Sequence, residues 1–456
     1  MAVQSKLMEA AIKCSCQEYL HPWTSSCASG SAGIILSALP YSLRTYTMVY
    51  LLALLLRRRI PTLQDLKRTI IGILKSSAFL TTNTFGVNFF ICLMRLLLGR
   101  FYFWTIAYIP AFIASFFALL IERPERRTSL TLYVANVSTE SLWKMLEARG
   151  IVRSIPNGQV LVLGCSVTAL LYMYRLGIHK TKLKDSAFKA IQLLIGKEEE
   201  GPIESSTAAA TTQSSLEQPL NLRKISAYIQ IYTHLLSIKH SSCPHRKGCS
   251  SHVLMGGLKP FIGGVGAQVG LKLLLNLRKI FKLKLDWRKQ IFNKQNLSLG
   301  LALGSFSLSY KLISCALRHI CGYDSAFFAI PAGLLGSIGL LHFPNTTIAL
   351  YVMWRTLQLL YNWGRGEGVL PKIPYFVIML YSACTALIFH SAIVEPKSLR
   401  SSYYKFGSDI SGERICRFNV SPFDAYGFGT QSQADSVIKK LGIDLSHKLP
   451  KIPLVV

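Results

Sequence analysis

Apolar residues in this chain gather in long runs instead of alternating with polar ones, the pattern of helices surrounded by hydrocarbon or by other helices. Four runs are free of formal charge: Phe101 to Ile121, Gln159 to Tyr174, Ala326 to Leu341, and Ile373 to Val394, the last holding only the ionisable His390. These four are read as spanning helices. Four further runs are shorter or interrupted: Tyr46 to Leu56, Ile70 to Leu98 with Lys75 and Arg95, the Gly-rich Met255 to Leu275, and Leu297 to Leu317 with Lys311. Each of these has an interfacial amphipathic helix as its alternative. The expected number of spans is about eight.

The runs also repeat. Ile109-Pro110-Ala111 recurs as Ile330-Pro331-Ala332, and Thr128 with Leu132-Tyr133-Val134 recurs as Thr346 with Leu350-Tyr351-Val352. Gly150 and Ile155-Pro156 match Gly368 and Ile373-Pro374, and Thr168-Ala169-Leu170 matches Thr385-Ala386-Leu387. Ordered matches that include Pro, Gly and Thr at an offset of roughly 220 residues predict a duplication. The expected fold is therefore all-α: a polytopic membrane protein of two related units with roughly four helices each, both in one orientation. Residues 197–221 are acidic, then rich in Ser, Thr and Ala, and too poor in apolar side chains to form a core. The predicted organisation is an N-terminal cysteine-rich module (1–31), a first transmembrane unit (32–196), a linker with a Cys/His loop (197–254), a second transmembrane unit (255–396) and a C-terminal tail (397–456).

Composition agrees with a membrane protein. Half of the residues are apolar, 16% are charged, and mean hydropathy is +0.34. The 51 Lys and Arg against 22 Asp and Glu would suggest nucleic acid in a soluble chain. Here they cluster beside the apolar runs, as Arg57 to Arg59, as Arg123, Arg126 and Arg127, and as Arg175, Lys180, Lys182 and Lys184. That placement fits the positive-inside rule and anionic lipid headgroups, and it excludes nucleic acid as the expected partner. The N-terminal segment lacks the continuous apolar core of a secretory signal, so targeting is expected to be internal.

Small residues spaced by four positions line several runs: Gly266 with Gly270, Gly300 with Gly304, and Ala332 with Gly336. Close helix packing is the ordinary reading, and a Gly-rich groove that passes a substrate is the other. Among charges inside the runs, Arg95 and Lys311 are placed to snorkel, His390 to form a hydrogen-bonded interface, and Glu122 to mark a membrane boundary. No phosphate-binding loop, nucleophile elbow, zinc-protease helix or dinucleotide fingerprint is present, so no enzymatic activity and no catalytic residue is expected.

Two clusters could carry chemistry. Cys16, His21 and Cys27 offer soft and borderline ligands, with Glu18 beside them; Cys243, His245, Cys249 and His252 fall within ten residues and form the better zinc candidate. Zinc is the one candidate cofactor, and reduced thiols in a basic loop are the favoured reading of the second cluster. A Cys16–Cys27 disulfide would follow if the N-terminus faced an oxidising compartment. Cys92, Cys165, Cys315 and Cys384 lie inside apolar runs and read as small buried packing residues.

The pattern of Cys16, Glu18, His21, Trp23 and Cys27 resembles the cysteine-rich entry module of the transmembrane protein 135 family, also called peroxisomal membrane protein 52. SSAFLTTN (76–83), FYFWT (101–105), IER (121–123), IGKEE (195–199), SYK (309–311) and NTTIALY (345–351) follow in family order. The C-terminal half also distantly resembles the helical domain of mitochondrial inner-membrane preprotein translocases, through Arg318, Asp324, Ala332-Gly333 and Gly336. The first resemblance implies a multipass protein of mitochondrial and peroxisomal membranes, tied to the fission and fusion balance of mitochondria, to peroxisome organisation and to lipid metabolism. Membrane lipids are the expected partners, with organelle-division machinery and a second copy of the chain as further candidates. A channel, lipid transporter or translocation subunit using the Gly-rich groove is the alternative function.

Overall fold

The computed structural model describes residues 10–55, 61–181, 183, 185–202, 239–245, 248–281, 293–446 and 449. Arg57 to Arg59, Lys182, Lys184 and most of the expected linker lie outside them. Among the described residues the fold is helical, with one isolated antiparallel bridge pairing Ile12 and Phe101.

A short α1 (Cys16–Tyr19) precedes the long α2 (Cys27–Leu55) and α3 (Leu63–Leu98). Thr62 and Asp65 form a capping box that starts α3, and Gly99 at φ 69° ends it, a left-handed conformation that suits glycine. α4 (Tyr108–Ile121), α5 (Pro124–Ala148), α6 (Gly158–Arg175) and α7 (Ser186–Ile195) follow. The second half runs through α8 (Cys249–Phe281), α9 (Ser298–Cys321), α10 (Ala329–Gly336), α11 (Thr346–Gly366) and α12 (Phe376–Val394), then α13 (Ser401–Ser411) and α14 (Thr430–Leu441).

The apolar runs and the helices do not coincide. Three described helices are long and apolar enough to cross a membrane: Leu63–Leu98, Gln295–Cys321 and Phe376–Val394. Two of the three grow from interrupted runs, while the charge-free run from Phe101 gives a helix that begins only at Tyr108. Its 14 residues rise about 21 Å at 1.5 Å each, short of the hydrocarbon thickness. Pro110 and Pro331 occupy the first turns of α4 and α10, where a missing N–H costs nothing, so each fixes where its short helix begins.

The chain forms two compact units, one of residues 1–154 with 373–456, the other of residues 155–372. This division crosses the boundaries expected from the sequence. In the first unit α2 packs on α3, α3 on α4, and α12 lies against α4 and α5. In the second, α8 packs on α9, α9 on α10, and α6 lies against α10 and α11. Each unit thus takes helices from the other half of the sequence, α12, α13 and α14 in the first unit and α6 and α7 in the second. The first core gathers Tyr19, Phe101, Phe103, Ile106, Phe423 and Tyr426; the second gathers Tyr174, Phe188, Phe306 and Tyr310 with Ala329 and Ala332. Residues 397–446 are therefore more than a tail. Asn419 N–H donates to the Tyr19 carbonyl at 2.9 Å and the Tyr426 hydroxyl to the Ala10 carbonyl at 3.0 Å, which closes the C-terminal segment over the N-terminal one.

Candidate functional site

Local capping places the first cluster. Ser15 Oγ accepts the Glu18 N–H at 3.0 Å while Glu18 Oε2 accepts the Ser15 N–H at 2.6 Å, so Glu18 serves the α1 cap and is not in the cluster. The cap turns Tyr19 and Leu20 into the core and brings Cys16 and His21 back over the start of α2. His21 is fully buried, and its ring presses on Gly30, where a Cβ would come within 3.1 Å. His21 Nδ1 lies 2.8 Å from the Thr24 carbonyl, an acceptor only, so Nδ1 carries the proton and Nε2 is left with its lone pair. Nε2 stands 3.3 Å from Cys27 Sγ, at the first residue of α2.

The sulfur that completes the group comes from Cys92 on α3. The ligand atoms of Cys16, His21, Cys27 and Cys92 all lie within 4.8 Å of one another. One turn on, Arg95 Nε donates to the Cys14 carbonyl at 2.7 Å and tethers the N-terminal segment to α3. The Ile12–Phe101 bridge, with N–O distances of 2.8 and 3.0 Å, holds the same segment from the other side. Hydrogen bonding with the Cys92 thiol, opposed by burial, lowers the Cys16 thiol to about 7.

The second unit holds a counterpart. Cys243 and His245 precede α8, Cys249 is the first residue of α8, and Cys315 lies on α9. Their ligand atoms again fall within 4.8 Å of one another. Cys249 Sγ is 3.8 Å from Cys243 Sγ, and Cys315 Sγ is 3.5 Å from His245 Nε2. Hydrogen bonding with Cys315 and burial push the Cys243 thiol up to about 12. All eleven cysteines of the chain are free thiols in this structure.

His252 is displaced from the set that the sequence suggested. Its ring stacks on His245 with centroids 4.3 Å apart, and its Nδ1 lies 2.8 Å from Glu198 Oε2. It lies outside the cluster, one turn along α8 from Cys249. Cys92 and Cys315 are the members that sequence reading assigned to packing. A signal for both was present: each precedes an arginine by three residues, Arg95 and Arg318, and a helix-ending glycine by seven, Gly99 and Gly322.

Beside the second cluster lies a buried ion network. Arg318 Nη1 donates to Glu199 Oε1 at 3.0 Å and its Nε to Asp324 Oδ1 at 2.9 Å; Arg175 also pairs with both carboxylates. Arg175 is therefore an interior residue and not part of a headgroup-facing basic cluster, and Lys197–Glu199, expected to be linker, form a packed 3₁₀ turn. In the first unit Glu122 is likewise interior, accepting from Ser76 Oγ at 3.1 Å and from Arg126 at 3.5 Å. His390, placed at a hydrogen-bonded interface by the sequence reading, is instead ringed by Phe103, Trp104 and Tyr108 with neither ring nitrogen partnered. Several glycines of the expected groove face neighbouring helices, since a Cβ on Gly333 would meet Thr168 Oγ1 at 2.6 Å and one on Gly304 would meet Phe261 Cβ at 2.8 Å, whereas Gly266 and Gly270 face open space.

Helices with apolar side chains exposed along them, Ile70, Leu74, Phe89 and Leu96 on α3 among them, define an all-α membrane protein. Its distinguishing feature is a cysteine-rich segment folded onto the ends of its long helices. Residues 13–146 match the family model described as the N-terminal cysteine-rich region of Transmembrane protein 135. No solved structure matches the chain.

Proposed function

We propose that the chain is a multipass protein of mitochondrial and peroxisomal membranes that regulates the balance of mitochondrial fission and fusion and the organisation of peroxisomes, in connection with lipid metabolism. The observation that carries this reading is the family match over residues 13–146, taken with three helices able to cross a membrane. On this reading the protein works by binding and not by catalysis. Three of its buried carboxylates, Glu122, Glu199 and Glu395, are engaged by arginines and Asp65 by the α3 capping box, which suits a structural use. Anionic lipids suit the net charge of +29, and organelle-division proteins are the protein partners proposed.

Cells lacking the chain, then re-expressing it in full, test the reading. Mitochondrial length and peroxisome number are expected to shift on loss and return on re-expression, with the tagged chain on both organelles. Unchanged organelles on loss, or a tagged chain confined to another membrane, would count against it.

A further inference from the structure

Each unit brings three thiols and one imidazole to a point from three separate places in the sequence: an ordered turn, the first residue of a long helix, and the interior of the next long helix. The local spacings differ. Cys16 and His21 are separated by four residues and His21 and Cys27 by five, whereas Cys243, His245 and Cys249 are separated by one and three. The chain therefore reaches the same donor set, three sulfurs and a nitrogen, by two different local paths. Packing alone needs no such convergence, since a thiol is a weak hydrogen-bond partner and a small apolar residue fills the same space.

The distances match a tetrahedral ion. With metal–sulfur bonds of about 2.3 Å and metal–nitrogen bonds of about 2.0 Å, a tetrahedron has S–S edges of about 3.8 Å and S–N edges of about 3.5 Å. The second cluster shows 3.8 Å between Cys249 and Cys243 and 3.5 Å between Cys315 and His245; the first shows 3.3 Å between His21 and Cys27. His21 also carries the outer partner expected of a ligand, its Nδ1 proton on the Thr24 carbonyl, which fixes the tautomer and aims Nε2 inward. Three thiolates around a divalent cation leave one net negative charge, which Arg95, anchored to the Cys14 carbonyl, complements.

We infer that the chain binds two zinc ions, one in each unit, through Cys16, His21, Cys27 and Cys92 and through Cys243, His245, Cys249 and Cys315. Four protein donors close the coordination sphere, so both sites are structural and leave no position for a substrate. Soft sulfur donors in a tetrahedral set select zinc over magnesium or calcium. Each ion pins an otherwise short-tethered turn to two long helices: the N-terminal segment to α2 and α3, and the loop before α8 to α8 and α9. This inference stands apart from the organelle reading, because metal content is measured on the isolated chain.

The full chain, purified in detergent without chelator, is assayed by elemental analysis. Two zinc ions per chain are expected, falling to one in Cys92→Ala, to one in Cys315→Ala and to none in the double variant, while His252→Ala retains two. Zinc absent from the wild type, zinc unchanged in the double variant, or zinc lost in His252→Ala would each overturn the assignment. Should an alanine variant fail to accumulate, the wild type is stripped with chelator and titrated with cobalt(II). Thiolate charge-transfer and tetrahedral d–d bands that saturate at two equivalents support the sites. Saturation without such bands, or mass spectrometry showing Cys16 joined to Cys27 or Cys243 to Cys249, refutes them.

Discussion

Glu199 shows how much a single side chain can hold together here. It is fully buried, and burial alone would raise its carboxyl, but Arg318, His252 and Arg175 outweigh that and hold it well below its ordinary value of 4.5. A carboxyl depressed by folding stabilises at every pH above its unfolded value, and the contribution is lost as pH falls from there through the folded value. Thermal unfolding in detergent should therefore be nearly flat from neutral pH down to about 5, then weaken steeply on further acidification. Glu199→Gln leaves two buried guanidiniums short of a partner and should cost about 3 to 5 kcal/mol at neutral pH, flattening the acid limb of the profile. A variant with wild-type midpoint and wild-type acid limb would show that the network carries no stability. Nothing in the one-dimensional pattern marks this residue, because KEEEGP reads as a solvated acidic start to a linker. Cys16, His21 and Cys27, by contrast, were legible at once, since turn residues close in sequence are close in space. Cys92 and Cys315 were not, because a cysteine inside an apolar run looks the same whether it packs or converges on a site.

Elements are where periodicity and apolar length mislead each other. Gly266 with Gly270 and Gly300 with Gly304 are indistinguishable small-residue pairs in sequence, yet the structure separates them. Gly300 faces α8, where an added Cβ would sit 2.5 Å from Val265 Cγ2 and 2.7 Å from the Phe261 carbonyl; Gly266 and Gly270 meet nothing within 4 Å. Gly300→Ala must push backbone from backbone and is expected to cost about 1 to 3 kcal/mol, the usual range for overpacking. Gly266→Ala should be neutral or stabilise by up to about 1 kcal/mol through helix propensity. Thermal midpoints of the two variants in the same detergent decide the matter, and equal effects would mean that α8 and α9 do not approach as closely as their glycines allow. The membrane spans follow the same lesson. The Phe101 run reads as one helix but begins with a turn, since Phe101 pairs with Ile12 and Phe103 is drawn into the aromatic core. The runs broken by Arg95 and Lys311 give the long helices because those charges are accommodated, Arg95 by a backbone carbonyl at 2.7 Å and Lys311 within the packing.

At the scale of the whole molecule, the matches between the two halves were visible in the sequence, but the pairing of helices was not. α4, α5 and α6 carry sequence matches to α10, α11 and α12, so sequence cannot say whether α6 closes its own half or the other. The structure puts α6 against α10 and α11, and α12 against α4 and α5. The consequence is a test that contiguous halves would fail. If residues 1–202 and 239–456 are expressed as separate chains, the first lacks α12, α13 and α14 of its own unit, the second lacks α6 and α7, and each carries the other's helices with apolar faces unpartnered. Exposed apolar faces of that kind drive aggregation or degradation. Neither half should accumulate alone, whereas co-expression should restore both, because each chain supplies the helices that the other's unit requires. The co-expressed halves should then be recovered together in an affinity pull-down through a tag on either one, and overpacking a buried α12 position, as in Ala386→Trp, should lower the yield of the pair. Halves that accumulate independently and purify apart would mean that each unit is complete within its own half, and the exchange of α6 and α12 would have to be abandoned.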